Sequence, residues 1–257
     1  MNQLQTFWAL IQRDWAVFVP EYKDRFINTL FWITLVIIVF EYIMPEAGLK
    51  NYGVFIAVSS IAVCGLWNVM NIACDMIADL ENERSITYYL TLPLPQWMVF
   101  VRIAISNAIQ ATALCVFFLP LAKVLLWNQF SFAQINWFQF TILFILTNLF
   151  YGFFSLFLAS CIKSFKTVEN VQMRIMWPMW FAGCYQFTWT SLYQLSPALA
   201  YASCVNPLVF IHEGIRVATF GQEGSLPFVV CMGALVIFIV LFGVIGIWRL
   251  KKRLDCL

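Results

Sequence analysis

Charged residues are scarce in this chain. Only 11% of its 257 residues are Asp, Glu, Lys or Arg, whereas about 25% is usual in a soluble domain. Hydrophobic residues make up 62%, the mean hydropathy is +0.82, and the formal net charge is only +2. This composition excludes the soluble globular and nucleic-acid-binding classes and predicts an all-α membrane protein. The length fits a single polytopic domain, 1–257.

The residue patterns of catalytic and metal sites are also missing. There is one histidine, His212, and neither a CxxC pair nor a Cys/His cluster of metal-binding spacing. Most of the eight cysteines fall inside apolar runs, where we expect small buried hydrophobes. No phosphate loop of the form G-x-x-x-x-G-K-[ST] occurs. We therefore expect no enzyme active site, metal or bound cofactor in this chain.

Six apolar segments are each near the ~20 residues that a helix needs to cross a bilayer. The predicted spans are 26–44, 52–74, 98–122, 137–162, 171–192 and 227–248. A further segment, 2–19, is amphipathic, with Trp8 and Trp15 on its apolar face and Arg13 and Asp14 elsewhere. This pattern predicts an N-terminal helix that lies in the membrane interface and ends at Pro20.

The distribution of Lys and Arg predicts the orientation. With an even number of spans and a cytoplasmic N-terminus, all of these cations except Lys50, Lys123 and Arg216 lie on the cytoplasmic side. This bias follows the positive-inside rule. We expect a multi-pass protein of a bacterial inner membrane with both termini in the cytoplasm.

One polar island, Asp75–Pro95 (DMIADLENERSITYYLTLPLP), interrupts the apolar sequence between the second and third predicted spans. Its charges are too costly for hydrocarbon, at roughly 3 kcal/mol each at the bilayer centre. The island must therefore leave the membrane on the cytoplasmic face as a compact helical piece. A short polar helix between two spans suits a membrane domain that receives force from a soluble partner, although a plain solvated loop is the alternative.

The stretch 196–225 contains apolar runs that are too short to span, broken by Pro197, Pro207 and Gly221. We predict two extracellular re-entrant half-helices between the fifth and sixth spans. Irregular backbone at that depth must be buried in protein or face water, and a cap over an exit route meets this condition. The expected cap residues are Asn206, Glu213 and Arg216.

These patterns together resemble the membrane subunit of ABC transporters of the second exporter type, the ABC-2 permeases. The resemblance rests on the interfacial segment before the first span and on LENERSITYYLTLPLPQW at Leu80–Trp97. It also rests on NPLVFIHEGIRVATFG at Asn206–Gly221. The order of these motifs covers nearly the whole chain. Ser85-Ile86 and Thr91-Leu92-Pro93 stand where the family often has Gly-Thr and Thr-Pro.

The resemblance implies a homodimer of permeases, each bound to a separate ABC ATPase subunit that carries ATP and Mg. The loop helix at Asp79–Tyr89 would be the coupling helix. The implied ATPase-contact residues are Asp79, Glu81, Asn82, Glu83, Arg84 and Tyr88. The implied substrate path runs along the dimer interface between the first, second and fifth spans.

Polar and aromatic residues mark a candidate substrate path. Asn68, Asn71 and Asp75 share one face of the second span, which usually points to a wet cavity or to hydrogen bonds between helices. The fifth span is rich in aromatic residues, which either form interface belts or contact substrate. The candidates from this span are Trp177, Tyr185, Gln186 and Trp189.

The expected function is the membrane-spanning subunit of an ATP-driven exporter that moves an amphipathic drug or lipid outward. Export of a lipid-linked polysaccharide is the first alternative. A membrane-embedded transferase is an alternative of another class, but it would need a cluster of His, Asp and Glu that the sequence does not offer.

Overall fold

The computed structural model describes residues 3–47, 52–83, 85–127, 129–162 and 164–254, and every regular element in these ranges is helical. The α-helices are α1 Gln3–Ile38, α2 Gly53–Ala78, α3 Ser85–Leu90, α4 Gln96–Cys115, α5 Phe118–Leu125, α6 Trp137–Cys161, α7 Val168–Val171, α8 Trp177–Phe181, α9 Trp189–Leu195, α10 Pro197–Ser203, α11 Pro207–Phe220 and α12 Phe228–Leu254.

Five helical segments within the described residues are long and apolar enough to cross a membrane. They are Gln3–Ile43, Gly53–Glu81, Gln96–Leu125, Trp137–Cys161 and Phe228–Leu254. Their length and composition support a membrane protein. The predicted segment 171–192 is not one of them.

The first helix runs without interruption through Pro20. The expectation that Pro20 separates an interfacial helix, 2–19, from a first span, 26–44, is therefore wrong. Proline removes one backbone hydrogen bond, and the helix accommodates this loss at the junction between an apolar stretch, 15–19, and a mostly charged one, 21–25. The helix then widens into a π-turn at Val39–Ile43 and tightens into a 3-10 turn at Met44–Ala47.

The third predicted span, 98–122, consists of two helices. A turn at residues 116–117 separates α4 from α5, and Pro120 lies in the first turn of α5. Because proline has no N–H, it cannot donate to the carbonyl of Val116 four residues earlier. The two helices still form one apolar segment.

The fifth predicted span, 171–192, is broken into short pieces. α7 leads through a π-turn at Gln172–Met176 into α8, and the backbone is then irregular until α9 begins. Pro178 lies within α8, Gly183 follows it, and Cys184 adopts a φ of 62°. Left-handed backbone of this kind interrupts a helix. In the sequence, Pro178 and Gly183 favour a bend in this segment, but they do not indicate a break of this length.

Helix α6 forms the centre of the molecule and packs on α12, α4, α2 and α11. The backbones of α4 and α6 approach so closely that a Cβ atom at Gly152 would collide with the carbonyl of Ala104. The Tyr151 hydroxyl donates to the carbonyl of Ala62 at 2.8 Å and joins α6 to α2. α2 is largely enclosed by its neighbours, whereas α12 leaves most of its apolar surface uncovered.

Two short helices, α10 and α11, lie between the broken segment and α12. Asn206 caps α11 by accepting from the backbone N–H of Leu208 at 3.0 Å, with Pro207 in the first position. Gly221 ends α11 at a φ of 95°, which glycine adopts readily. α11 has 14 residues and is buried along nearly its whole length.

Candidate functional site

A cavity of about 480 Å³ lies between α1, α2, the α4–α5 pair and α8. Its polar edge carries Arg25, Asn28, Thr29, Asn68 and Asn71. Its aromatic wall is formed by Trp32, Trp67, Phe118, Trp177 and Trp180. The volume lies in the range of pockets that hold drug-sized ligands. The structure thus brings together Asn68, Asn71 and Trp177 of the candidate path.

Arg25 forms the polar corner of this cavity. Its Nη2 atom lies 2.7 Å from the Glu21 carboxylate, one helical turn earlier, and 3.9 Å from the Asp75 carboxylate. Its Nη1 atom donates to Asn68 Oδ1 at 3.2 Å. The Arg25 charge is therefore balanced within the chain, and the orientation of the Asn68 amide is fixed.

Three indole rings pack around Trp67. Its ring centroid lies 6.1 Å from that of Trp32, 5.5 Å from Trp177 and 5.9 Å from Trp180, at interplanar angles of 59° to 64°. Such tilted and edge-to-face contacts are favourable between aromatic rings. Three separate helices contribute to the cluster, and α8 supplies two of its rings, Trp177 and Trp180.

Two of the cysteines in the cavity wall are bonded to each other. Cys64 of α2 and Cys115 of α4 form a disulfide, with 6.2 Å between their Cα atoms, a normal separation for this bond. For this pair the expectation of unpaired buried hydrophobes is wrong. The two residues are 51 positions apart in sequence, and only the packing of α2 against α4 brings them together.

A second cavity, of about 320 Å³, lies between α1, α2, α3 and α4. Asp75 and Asp79 line this cavity rather than the first one, and Arg25 lines both. Asp75 is exposed, whereas Asn68 on the same helix is buried. The helical face that Asn68, Asn71 and Asp75 share in sequence is thus divided between two cavities with Arg25 at their common wall.

Within the polar island, hydrogen bonds connect Asp79, at the end of α2, to the start of α3. Both carboxylate oxygens of Asp79 accept backbone hydrogen bonds, from Ser85 N–H and Ile86 N–H, each at 2.9 Å. These are orphan donors of the first turn of α3. Asp79 therefore stabilises the start of α3, and the helix begins at Ser85 rather than at Asp79.

Helix α3 contacts α1 and α4 through Tyr89. The guanidinium groups of Arg13 and Arg102 lie 5.1 Å and 4.6 Å from the centre of its ring, within the range of cation–π attraction. Arg102 also pairs with Asp14 at 3.1 Å, and Asp14 accepts from the Ser106 hydroxyl at 2.8 Å. Charged groups of α1 and α4 thus form one connected cluster with the Tyr89 ring of α3.

The other candidate partner contacts lie on the outside of the island. Glu81 is exposed, and Tyr88 has an exposed fraction of 65%. The side chains of Asn82 and Glu83, and Arg84 as a whole, lie outside the part of the chain that the structure describes.

A buried ion pair connects α11 to the irregular stretch at 182–188. Arg216 Nη1 lies 3.0 Å from Glu213 Oε1 and donates to the Phe187 carbonyl at 3.1 Å. Its Nη2 atom donates to the carbonyls of Cys184 and Tyr185 and to Ser59 Oγ. The backbone carbonyls that the broken helix leaves unpaired are therefore satisfied by one guanidinium.

Glu213 satisfies the neighbouring donors. Its Oε1 atom accepts from Trp189 N–H at 2.9 Å, and its Oε2 atom accepts from Leu226 N–H at 3.2 Å. Both charged side chains are buried within this one chain, and the Arg216 guanidinium lies 4.0 Å from the centre of the Phe55 ring.

The remaining candidate path residues lie away from the cavity. Tyr185 is buried, and its hydroxyl lies 3.0 Å from Ser60 Oγ. Gln186 is exposed. The indole N–H of Trp189 donates to the Ala200 carbonyl at 2.9 Å. His212 is buried with Nδ1 donating toward the carbonyls of Gly183 and Leu208, so it serves packing.

Several site residues were not assigned by the sequence analysis. Arg25, Trp32 and Trp67 line the cavity, and Asp14 and Arg102 hold the island. From the sequence alone, Arg25 and Arg102 contribute only to the positive charge of the cytoplasmic side. Their position near the polar ends of apolar segments was a usable signal, since such cations need a partner.

The helical fold and the five long apolar segments within the described residues support a polytopic membrane protein. The chain is 24% identical over 265 aligned residues to the inner membrane transport permease YadH of Escherichia coli strain K12, and the alignment covers 97% of each chain. The proteins of the same name from Escherichia coli O157:H7 and Shigella flexneri match with the same identity and coverage. No model of a protein family matches the chain.

This similarity along the whole chain confirms the resemblance to the ABC-2 permeases that the sequence motifs indicated. It supports a subunit of a membrane transporter rather than an enzyme.

Proposed function

We propose that this chain is the membrane-spanning subunit of an ATP-driven ABC exporter, and that it moves an amphipathic substrate outward across the inner membrane. A separate ABC ATPase subunit binds ATP and Mg and hydrolyses the nucleotide. Two permease copies form a homodimer, with the N- and C-termini and the polar island in the cytoplasm.

The observation that carries this proposal is the attachment of the polar island. Tyr89 on α3 contacts Arg102 on α4 and Arg13 on α1, while Asp79 at the end of α2 stabilises the start of α3. A force applied to α3 would be transmitted to α1 and α4 through the contacts of Tyr89, and to α2 through Asp79. A solvated loop without a mechanical role would need no such attachment.

The ATPase contact is assigned to the outer side of this island. Glu81 and Tyr88 are exposed there, and Asn82, Glu83 and Arg84 lie between them in the sequence. Asp79 contributes indirectly, since its carboxylate holds the helix that the ATPase would contact.

The substrate path is assigned to the 480 Å³ cavity and its surroundings. Arg25 separates this cavity from the polar one beside the island, so that substrate would enter past Arg25 from the cytoplasm. Glu213 and Arg216 fix the irregular stretch beyond the aromatic wall. We assign this buried pair, with Asn206, to the cap of the outward route.

The broken segment, 168–195, is proposed as the remaining crossing, which restores an even number of spans. Discontinuous helices occur in membranes where protein covers the irregular backbone, and Arg216 and Glu213 supply the required hydrogen bonds here. The α10–α11 pair then forms the re-entrant cap on the outer side.

Export of a lipid-linked polysaccharide is the second candidate. An aromatic cluster of Trp189, Tyr193 and Tyr201 lies at the end of the molecule opposite the island, and the Trp189 and Tyr193 rings stack at 5.2 Å. Exposed aromatic faces suit sugar rings. A membrane-embedded transferase has less support, because the described residues contain no group of three or more His, Cys, Asp or Glu that could hold a metal.

The deciding experiment replaces Glu81, Glu83 and Arg84 together by alanine. We expect the variant to lose both co-purification of the ABC ATPase and substrate-stimulated ATP hydrolysis while the permease still folds. Replacement of Glu223, an exposed carboxylate in the loop before α12, is the matched control. Unchanged binding and coupling in the triple variant would refute the proposed ATPase contact.

A further inference from the structure

The two cavities meet at one level of the helix bundle. On each of three helices the lining residues change there from the polar cavity of about 320 Å³ to the larger one: between Glu21 and Thr29 on α1, between Asp75 and Asn71 on α2, and between Gln110 and Ala111 on α4. Among the described residues, Arg25 alone lines both cavities. Its side chain therefore lies where a molecule would pass from one cavity to the other.

Arg25 has a hydrogen-bond partner on each side of this level. Toward the larger cavity, its Nη1 atom donates to Asn68 Oδ1 at 3.2 Å. Toward the polar cavity, its Nε and Nη2 atoms donate to Glu21 Oε2 at 3.1 Å and 2.7 Å. Glu21 lies one turn earlier on the same helix and moves with Arg25. Of these hydrogen bonds, the one to Asn68 is therefore the one that connects α1 to α2.

Asp75 is a second acceptor on α2, just beyond the reach of Arg25. Its Oδ2 atom lies 3.9 Å from Arg25 Nη2, which is longer than a hydrogen bond. Asp75 lines the polar cavity, and its side chain is 72% exposed, so there is space for a guanidinium beside it. A small movement of Arg25 away from Asn68 would complete a charged hydrogen bond with Asp75.

The two positions of the Arg25 side chain have opposing costs. In the position near Asp75, the guanidinium gains a charged acceptor and keeps Glu21, so no charge is left unpaired. The buried oxygen of Asn68 would lose its donor in exchange, which is also costly. Because the gain and the loss are of the same kind, neither position is strongly excluded, as a two-position element requires.

We propose that Arg25 is the gate between the polar cavity and the larger cavity. Bonded to Asn68, its side chain closes the passage, and paired with Asp75 it opens the passage. The inference rests on the proposed transport function and adds how access to the substrate cavity is controlled. Glu21 holds the guanidinium in both positions and keeps the charge balanced while the gate moves.

The test measures how fast a cysteine at position 29 reacts with water-soluble thiol reagents. Thr29 lines the larger cavity one turn beyond Arg25, and cysteine is close to threonine in size. The full-length permease, without its native cysteines, is placed in nanodiscs so that both faces are reachable. Two methanethiosulfonate reagents are compared, one with a trimethylammonium group and one with a sulfonate. A cysteine at Gln110, which lines the polar cavity, reports access to that cavity alone.

Two substitutions should act in opposite directions. Asn68→Leu keeps the approximate volume of the side chain but removes the acceptor of the closed position, so the rate at position 29 should rise about tenfold. Asp75→Asn weakens the open position and should lower that rate about three- to tenfold. Both reagents should show the same changes, and the rate at position 110 should stay within about twofold. Arg174→Ala, at an exposed position, is the control and should change neither rate.

Three results would overturn the gate. Faster reaction in both Asn68→Leu and Asp75→Asn would make Arg25 a structural connection between α1 and α2 and nothing more. Unchanged rates at position 29 would show that access does not pass Arg25. Opposite changes for the two reagents would assign the effect to local charge instead of an opening.

A variant that removes the gate itself keeps the test decisive if a partner variant misfolds. Arg25→Ala should give the fast rate at position 29 with both reagents, and an unchanged rate would refute the gate. The assay contains neither ATPase nor substrate. A negative result therefore leaves the ATPase-contact test unaffected, and failure of that test leaves the labelling result standing.

Discussion

Glu213 and Arg216 form a salt bridge of 3.0 Å in which both side chains are buried. They lie one turn apart on α11. Arg216 donates to the Phe187 carbonyl of the irregular stretch, and Glu213 accepts from the backbone N–H groups of Trp189 and Leu226. Removal of one partner from a buried pair leaves a buried charge, which costs about 3–5 kcal/mol.

We therefore predict that Glu213→Gln and Arg216→Gln each lower the thermal stability of the purified permease strongly, and that the double variant loses less than the sum of the two. The double variant should remain below wild type, because the carbonyls of Cys184 and Tyr185 lose their donor. Thermal unfolding in detergent checks this, with transport as a second measurement. Small, additive effects would mean that the pair contributes little to the cap.

The contact between Tyr89 and Arg102 gives a second prediction. Tyr89→Phe keeps the aromatic face that the two guanidinium groups approach and should leave coupling near the wild-type level. Tyr89→Leu removes the ring, and a cation–π contact is worth about 0.5–2 kcal/mol. We expect Tyr89→Leu to uncouple ATP hydrolysis from transport. Equal coupling of ATP hydrolysis to transport in Tyr89→Leu and Tyr89→Phe would show that the aromatic contact has no role in coupling.

Asp79 allows a test of the start of α3. Replacement of a capping acceptor by alanine typically costs about 0.5–2 kcal/mol. Asp79→Ala should therefore weaken ATPase co-purification, and Asp79→Asn should retain much of it, since its side-chain oxygen can still accept from the Ser85 or Ile86 N–H. Equal loss in both variants would instead indicate that the negative charge itself contacts the ATPase.

The orientation can be tested with single cysteines in a background without the native ones. A cysteine at Gln129 should react with an impermeant thiol reagent added from outside, as should one at Gly48, which lies outside the described residues. A cysteine at Asn82 or Asp255 should react only after the membrane is opened. External labelling at Asn82 would reverse the topology and remove the basis for the ATPase contact.

The disulfide between Cys64 and Cys115 can be tested by counting the thiols that react with maleimide. In denatured, unreduced permease, these two residues should not react with maleimide, and reduction should release two thiols. Cys64→Ala should free Cys115 for labelling, whereas Cys161→Ala, which removes an unbonded cysteine, should leave the pair intact. Labelling of Cys64 and Cys115 without reduction would exclude the bond.

The sequence by itself determined the helical class, the membrane character and most of the long segments. Runs of apolar residues near the bilayer length carry this information locally. The scarcity of charge also made the island at Asp75–Pro95 visible. Asn206-Pro207 is a local signal for the start of α11, because a capping Asn followed by Pro acts within a single turn.

Only the tertiary structure decided how these pieces combine. Whether Pro20 ends a helix or is accommodated depends on neighbouring contacts, and the break at Gly183 and Cys184 is stable because Arg216, about 30 residues away, satisfies its carbonyls. The cavity joins residues of α1, α2, α4, α5 and α8 that no sequence spacing relates. Local patterns specify helices, but partners for buried polar groups are chosen by packing between distant segments.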